Sequence, residues 1–244
     1  MNPTALQIGK LVRAPLLLFA LPAVLVAFAT ARHGQLVLAR NAVAEGEVWR
    51  LWSGHWVHFS ASHLLWNLAV LLPVGMWLER LRPGLLWRHV LVATPLVSCA
   101  ILTLEPGLQT YGGLSALATS VVVLLALHQC RTARAGRWLW ISVLALVAAK
   151  ILAEARFGGA GFARYESATV RTAWSAHAAG ALAAVFHQAW MQWKEDGASG
   201  KVTSASPGWP SRARPAARSA ASPPRRRGPS GTARRSTPPR APSA

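Results

Sequence analysis

The sequence predicts an all-α membrane protein with six transmembrane helices and a basic C-terminal tail. Three observations carry that prediction. Hydrophobic residues make up 52% of the chain and charged residues only 14%, where an ordinary soluble domain carries about a quarter charged. Apolar runs recur along most of its length, and a run of ~20 residues is enough to cross a bilayer as a helix. Lys and Arg cluster in alternate turns between the runs, the asymmetry that orients membrane proteins.

The elements follow in order. Residues 1–13 form a short N-terminal segment ending in Lys10 and Arg13. An uncharged run from Ala14 to Ala31 follows. A basic start before an apolar run also fits a signal peptide, but its length and the spans behind it favour an uncleaved first helix. Arg32 to Arg50 is a mixed polar loop. It leads into Trp49, Arg50, Trp52, His55 and His58, a stretch suited to the membrane interface. The second span starts near Ser62 and ends at Glu79-Arg80. Pro83-Gly84 breaks the chain, and the third span covers roughly His89 to Leu104.

No charge lies between Glu105 and Arg131, so the fourth span begins at Gly113 and closes near Gln129. The fifth runs from about Trp138 to Ala153, with Lys150 snorkelling near its end. A Gly-rich loop from Arg156 to Arg171 precedes the sixth span, Thr172 to Trp193. The membrane domain therefore occupies residues 14–193. Residues 194–244 read as a disordered Arg/Pro-rich tail. Beyond Asp196 the tail holds one Lys, nine Arg and no acid, with little apolar surface to bury. It suits anionic inner-leaflet lipid as well as plain solvation. No folded nucleic-acid module accompanies it. Cys99 and Cys130 read as unpaired, small buried residues. No Cys/His spacing fits a zinc site, and no cofactor is implied.

Placing the basic turns on one side puts both termini in the cytoplasm. Even-numbered spans then start at the outer face. Polar residues inside spans are costly and usually face the protein interior. Four stand out: His63 and Asn67 in span two, Ser115 in span four and His177 in span six. All four fall in the first turns of even-numbered spans, so they share one depth. His63 and Asn67 are i and i+4 and lie on one helix face. Gly112-Gly113 permits a tight backbone path before Ser115. Gly180 and Ala184 on one span, and Ala116 and Ser120 on another, form small faces that let helices approach.

This set can do acyl-transfer chemistry. Ser115 would attack a carbonyl, and His177 would take its proton and return it to the leaving amine. The Ser115 N–H, His63 and Asn67 would stabilise the oxyanion. A Ser–His pair needs no third residue if packing fixes the imidazole.

The pattern His58-x4-His63-x3-Asn67, then Gly113-x-Ser115, then Ala176-His177-x2-Gly180, resembles the rhomboid family of intramembrane serine proteases. Trp49-Arg50 and Glu79 match further family positions, where they are implicated in structure. The resemblance covers about residues 14 to 193. It implies a six-helix rhomboid fold, with Ser115 and His177 as the catalytic dyad and His63 and Asn67 lining the oxyanion hole. Ala116 stands where the family has a second glycine. Thr119 stands where many members carry an aromatic that supports the histidine. The length of the chain and Tyr111-x-Gly-Leu-Ser are similar to the rhombosortase branch, which implies C-terminal Gly-Gly-type sorting helices of exported proteins as substrates and a bacterial inner membrane as the location. The alternative is a catalytically silent rhomboid-like protein that binds transmembrane segments.

Overall fold

The computed structural model describes residues 13–133, 135–158 and 173–204. Among them are six long helices: α1 (Arg13–Phe28), α2 (Ala61–Leu81), α3 (Leu85–Leu104), α4 (Ser115–Thr132), α5 (Arg137–Phe157) and α6 (Trp174–Ser204). By length and composition α2, α3 and α5 can each cross a bilayer. Helix α1 is apolar but shorter, rising ~24 Å at 1.5 Å per residue. It stops at Phe28, three residues before the expected end, because Ala29 leaves helical dihedrals.

Helices α4 and α6 fall outside that apolar class. They form the most extensive helix pair in the structure, and α3 lies against α6 as well. Helix α4 is buried along most of its length, while α6 keeps Leu182, Phe186, Trp190 and Trp193 exposed. Leu114, Leu117, Val121 and Leu124 of the α4 region share a core with Leu71, Leu78, Leu86, Ala183 and Ala184. A polar clamp crosses the same layer: His89 of α3 bonds the Ser120 hydroxyl of α4 at 2.7 Å and His187 of α6 at 2.9 Å. Helix α5 lies at the periphery, and Glu154 is its one buried residue among those described.

The first loop is more ordered than a mixed polar segment suggests. It contains short helical turns at Arg40–Ala44, Arg50–Ser53 and Gly54–Trp56. Arg50 is buried there. Its guanidinium donates to the Gly34 and Val37 carbonyls and pairs with Glu47. Neighbouring Trp49 is exposed. A two-residue strand, β1 (Leu38–Ala39), pairs antiparallel with β2 (Thr110–Tyr111). That bridge ties the first loop to the backbone just ahead of Gly112-Gly113. Arg40 reinforces it by donating to the Leu102, Glu105 and Leu108 carbonyls.

Glu79 is buried at the end of α2. Its carboxylate accepts from the Gly84 and Leu86 N–H groups at 2.9 and 3.1 Å. These belong to the first turn of α3, where helix N–H groups lack partners. Glu79 therefore acts as a cap across the Pro83-Gly84 turn.

Two expectations need correction. Helix α6 continues to Ser204, past the point where the tail was expected to lose structure; residues 205–244 lie outside the described residues. Cys99 is exposed and Cys130 half-buried, both as free thiols; Cys99 shares the face of α3 that carries exposed Val92 and Leu96. Residues 159–171 of the Gly-rich loop and Thr172, the expected start of the sixth span, also lie outside the described residues.

Candidate active site

Ser115 is the first residue of α4, half-buried at its N-terminus. Two features of the preceding backbone put it there. Gly113 has φ +120, in the region that side chains avoid. A Cβ at Gly113 would also run into the His63 ring. The missing side chain is what lets the α2 imidazole lie on the loop ahead of Ser115. Gly112 has a similar duty, since a Cβ there would come 2.9 Å from the Val57 carbonyl oxygen.

His58, His63 and Asn67 converge on this loop. The His58 Nδ1 lies 2.9 Å from the Trp56 carbonyl oxygen. A carbonyl can only accept, so Nδ1 carries the proton and Nε2 is the acceptor. The Asn67 amide donates to that Nε2 at 3.2 Å, and the Leu114 N–H reaches it at 3.5 Å. His58 thus ties Asn67 to the residue just before Ser115. The His58 and His63 rings meet edge to face, 5.0 Å apart. All three side chains are buried.

His177 sits in the first turn of α6 and is buried. One turn on, a Cβ on Gly180 would collide with the Ala116 carbonyl oxygen, so α6 and α4 touch backbone to backbone beside Ser115. His63 and His177 lie close enough for their charges to interact. Among the described residues no hydrogen bond joins the Ser115 hydroxyl to His177. Such bonds are often long before substrate binds and tighten in the reacting complex.

Packing alone was expected to fix the imidazole. Instead, a carboxylate does so. The His177 Nδ1 lies 2.6 Å from Glu154 Oε2 on α5. The other oxygen, Oε1, accepts from Lys150 at 2.6 Å. A carboxylate accepts only, so Nδ1 bears the proton and Nε2 is left with its lone pair. The sequence reading closed the fifth span at Ala153 and assigned Lys150 to the interface, so it missed both residues. The available signal was the i, i+4 pair of opposite charges at the end of an apolar run.

His55 and His58, in the stretch expected at the membrane interface, are both buried. His55 bonds Ser98, whose hydroxyl donates to the Leu51 carbonyl. Burial removes the hydration a charged imidazole needs, and each ring's pKa falls from 6.5 to about 4. For His58 the neighbouring His63 adds a smaller push in the same direction. The sign follows from proton counting. Between pH 6.5 and 4 the unfolded chain binds protons that the folded chain refuses, so stability is lost as pH falls through that window. Each ring contributes roughly 3 kcal/mol to the loss. The melting temperature of the detergent-solubilised chain should hold above pH 6.5 and drop toward pH 4, less steeply in His58→Gln. A level profile in that interval would contradict the neutral state of these rings.

Residues 45–194 match the family model described as Rhomboid domain. No curated relative matches the chain. The matched segment contains α2 to α5, the loop ahead of Ser115 and the first turns of α6 that carry His177, and on that extent of match the chain belongs to the rhomboid family of intramembrane serine proteases.

Proposed function

We propose that the chain is an active intramembrane serine endopeptidase that cleaves membrane-anchored proteins near the outer face of a bacterial inner membrane. The observation that supports this most is the backbone contact of α6 on α4 at Gly180 and Ala116. It packs the helix of His177 against the helix that Ser115 begins, which supports a reading in which the imidazole serves the serine hydroxyl.

Each group has a step to perform. The Ser115 oxygen attacks the scissile carbonyl as His177 Nε2 takes its proton. The oxyanion forms at the start of α4, where helix N–H groups are unpaired and the macrodipole is positive. The Ser115 N–H, His63 and Asn67 are its donors. The amine leaves with the proton from His177, and water then releases the acyl group by the reverse route. His58 is a positioning residue, since its Nε2 orients the Asn67 amide.

The basic turns between α2 and α3 and between α4 and α5 support cytoplasmic termini and six crossings. Tyr111-x-Gly-Leu-Ser supports the rhombosortase branch and, with it, C-terminal Gly-Gly-type sorting helices as substrates. A fluorophosphonate probe tests the activity directly. Labelling should map to Ser115 and vanish in His177→Ala. A folded wild-type chain that takes no label would instead be a silent binder of transmembrane segments.

A further inference from the structure

We propose that Glu154 is a positioning residue that selects the productive tautomer of His177, and that Lys150 holds Glu154 in place for that task. The proposal rests on the Ser115–His177 reading and adds a third residue to it.

The placement of Glu154 is difficult to explain otherwise. Helix α5 presents its length to the surroundings, and Glu154 is the one residue it buries among those described. A carboxylate within an apolar helix is costly unless it is paired. Lys150 is one turn away and could have paired with it on the exposed face. The Lys150 side chain is in fact 40% exposed, yet that of Glu154 is only 4% exposed. The carboxylate turns inward, and its two oxygens divide between two partners. Lys150 takes Oε1, and the 3%-exposed His177 side chain takes Oε2.

The tautomer argument gives this arrangement a chemical purpose. Lys150 Nζ also lies 3.2 Å from His177 Nδ1. An ammonium can only donate. With Glu154 present, Nδ1 keeps its proton and donates a hydrogen bond to the carboxylate, and Nε2 is left to act as base. Without Glu154, the strongest remaining partner of Nδ1 is a donor. The ring would then place its lone pair on Nδ1 and its proton on Nε2, which could no longer accept from Ser115. Removing the carboxylate should therefore do more harm than losing one hydrogen bond. It leaves Lys150 actively favouring the unproductive tautomer.

During the reaction a proton moves from the Ser115 oxygen to Nε2, and the imidazolium that results lies 2.6 Å from the carboxylate. Glu154 stabilises that cation and keeps its own charge state throughout. Lys150 fixes the orientation of the carboxylate through its bond to Oε1.

The test uses the full chain in detergent and a fluorophosphonate, with kinact and KI measured separately. Glu154→Ala should lower kinact about a hundredfold or more, as expected for a wrong tautomer, with KI little changed. Glu154→Gln should fall between, since its amide oxygen can still accept from Nδ1. The double variant Glu154→Ala/Lys150→Met should recover about tenfold over Glu154→Ala, because the competing donor is gone. That rescue has no counterpart if Glu154 merely braces the helices. Wild-type kinact in both Glu154→Ala and Glu154→Gln would overturn the proposal. So would a loss in Glu154→Ala that the double variant deepens. If Glu154→Ala fails to fold, a reduced kinact in Glu154→Gln at unchanged melting temperature sustains the proposal. A wild-type chain that labels while the Glu154 variants match it leaves the Ser115–His177 reading standing alone. A wild-type chain that never labels removes both.

Discussion

Ser115→Ala should abolish cleavage of a membrane-anchored reporter while leaving the melting temperature within a degree or two of wild type. The two halves of this expectation have separate grounds. Loss of a serine nucleophile costs on the order of 10³-fold or more in kcat, because a residual rate comes only from binding and oxyanion stabilisation. The fold, by contrast, asks little of this hydroxyl. Ser115 is half-buried, and among the described residues its hydroxyl makes no hydrogen bond. What holds the position is backbone: the Ser115 carbonyl accepts from Thr119 at 3.1 Å, and the Ala118 N–H bonds back to Leu114. Alanine suits the first turn of a helix. A fold-neutral serine at a helix start, next to a buried imidazole, fits chemistry better than packing. Undiminished reporter cleavage in Ser115→Ala would remove the nucleophile. A large drop in melting temperature would show that the hydroxyl serves the fold after all.

Much of this arrangement was legible in the sequence, for reasons that differ by residue. The ends of α2 and α3 fall within a few residues of where Pro, Gly and charge end the apolar runs. His63, Asn67, Ser115 and His177 could be grouped because polar residues in membrane spans are rare and these shared one inferred depth. Glu154 escaped that filter. It lies at the C-terminal end of its span, and an acid there reads as the start of a loop. Its inward turn depends on His177, which is distant in sequence. The tautomer of His58 was equally hidden, since it is set by the Trp56 carbonyl, and a carbonyl leaves no mark in a sequence. The bridge between Leu38 and Tyr111 is too short for a period-two pattern to register. What pattern reading recovers is composition and depth; what it misses is which way a side chain turns at that depth.

Gly180→Val should separate the two halves of the site and cost both activity and stability. The ideal Cβ at Gly180 would overlap the Ala116 carbonyl oxygen and come within 3.1 Å of its carbon and 3.5 Å of Ser120 Cβ. The obstacle is helical backbone, which cannot swing aside as a long side chain can. Helices α4 and α6 must therefore part, or α6 must rotate. Either motion carries His177, one turn from Gly180, away from the start of α4. Parting the helices also opens the core at Ala184 and Leu117, and forced overpacking of this kind costs about 1–3 kcal/mol or more. Activity should fall further than the melting temperature suggests, because a shift of ~1 Å at reacting atoms costs about a hundredfold in rate. Gly180→Ala should lie between, with a single methyl to accommodate. The control is Gly136→Ala, a glycine at φ +89 with nothing near its Cβ position. It should lose some stability through backbone strain alone and keep its turnover once folded. If Gly180→Val turns over like wild type, the backbone contact between α4 and α6 is not what places the imidazole, and the base assigned to Ser115 would need another source.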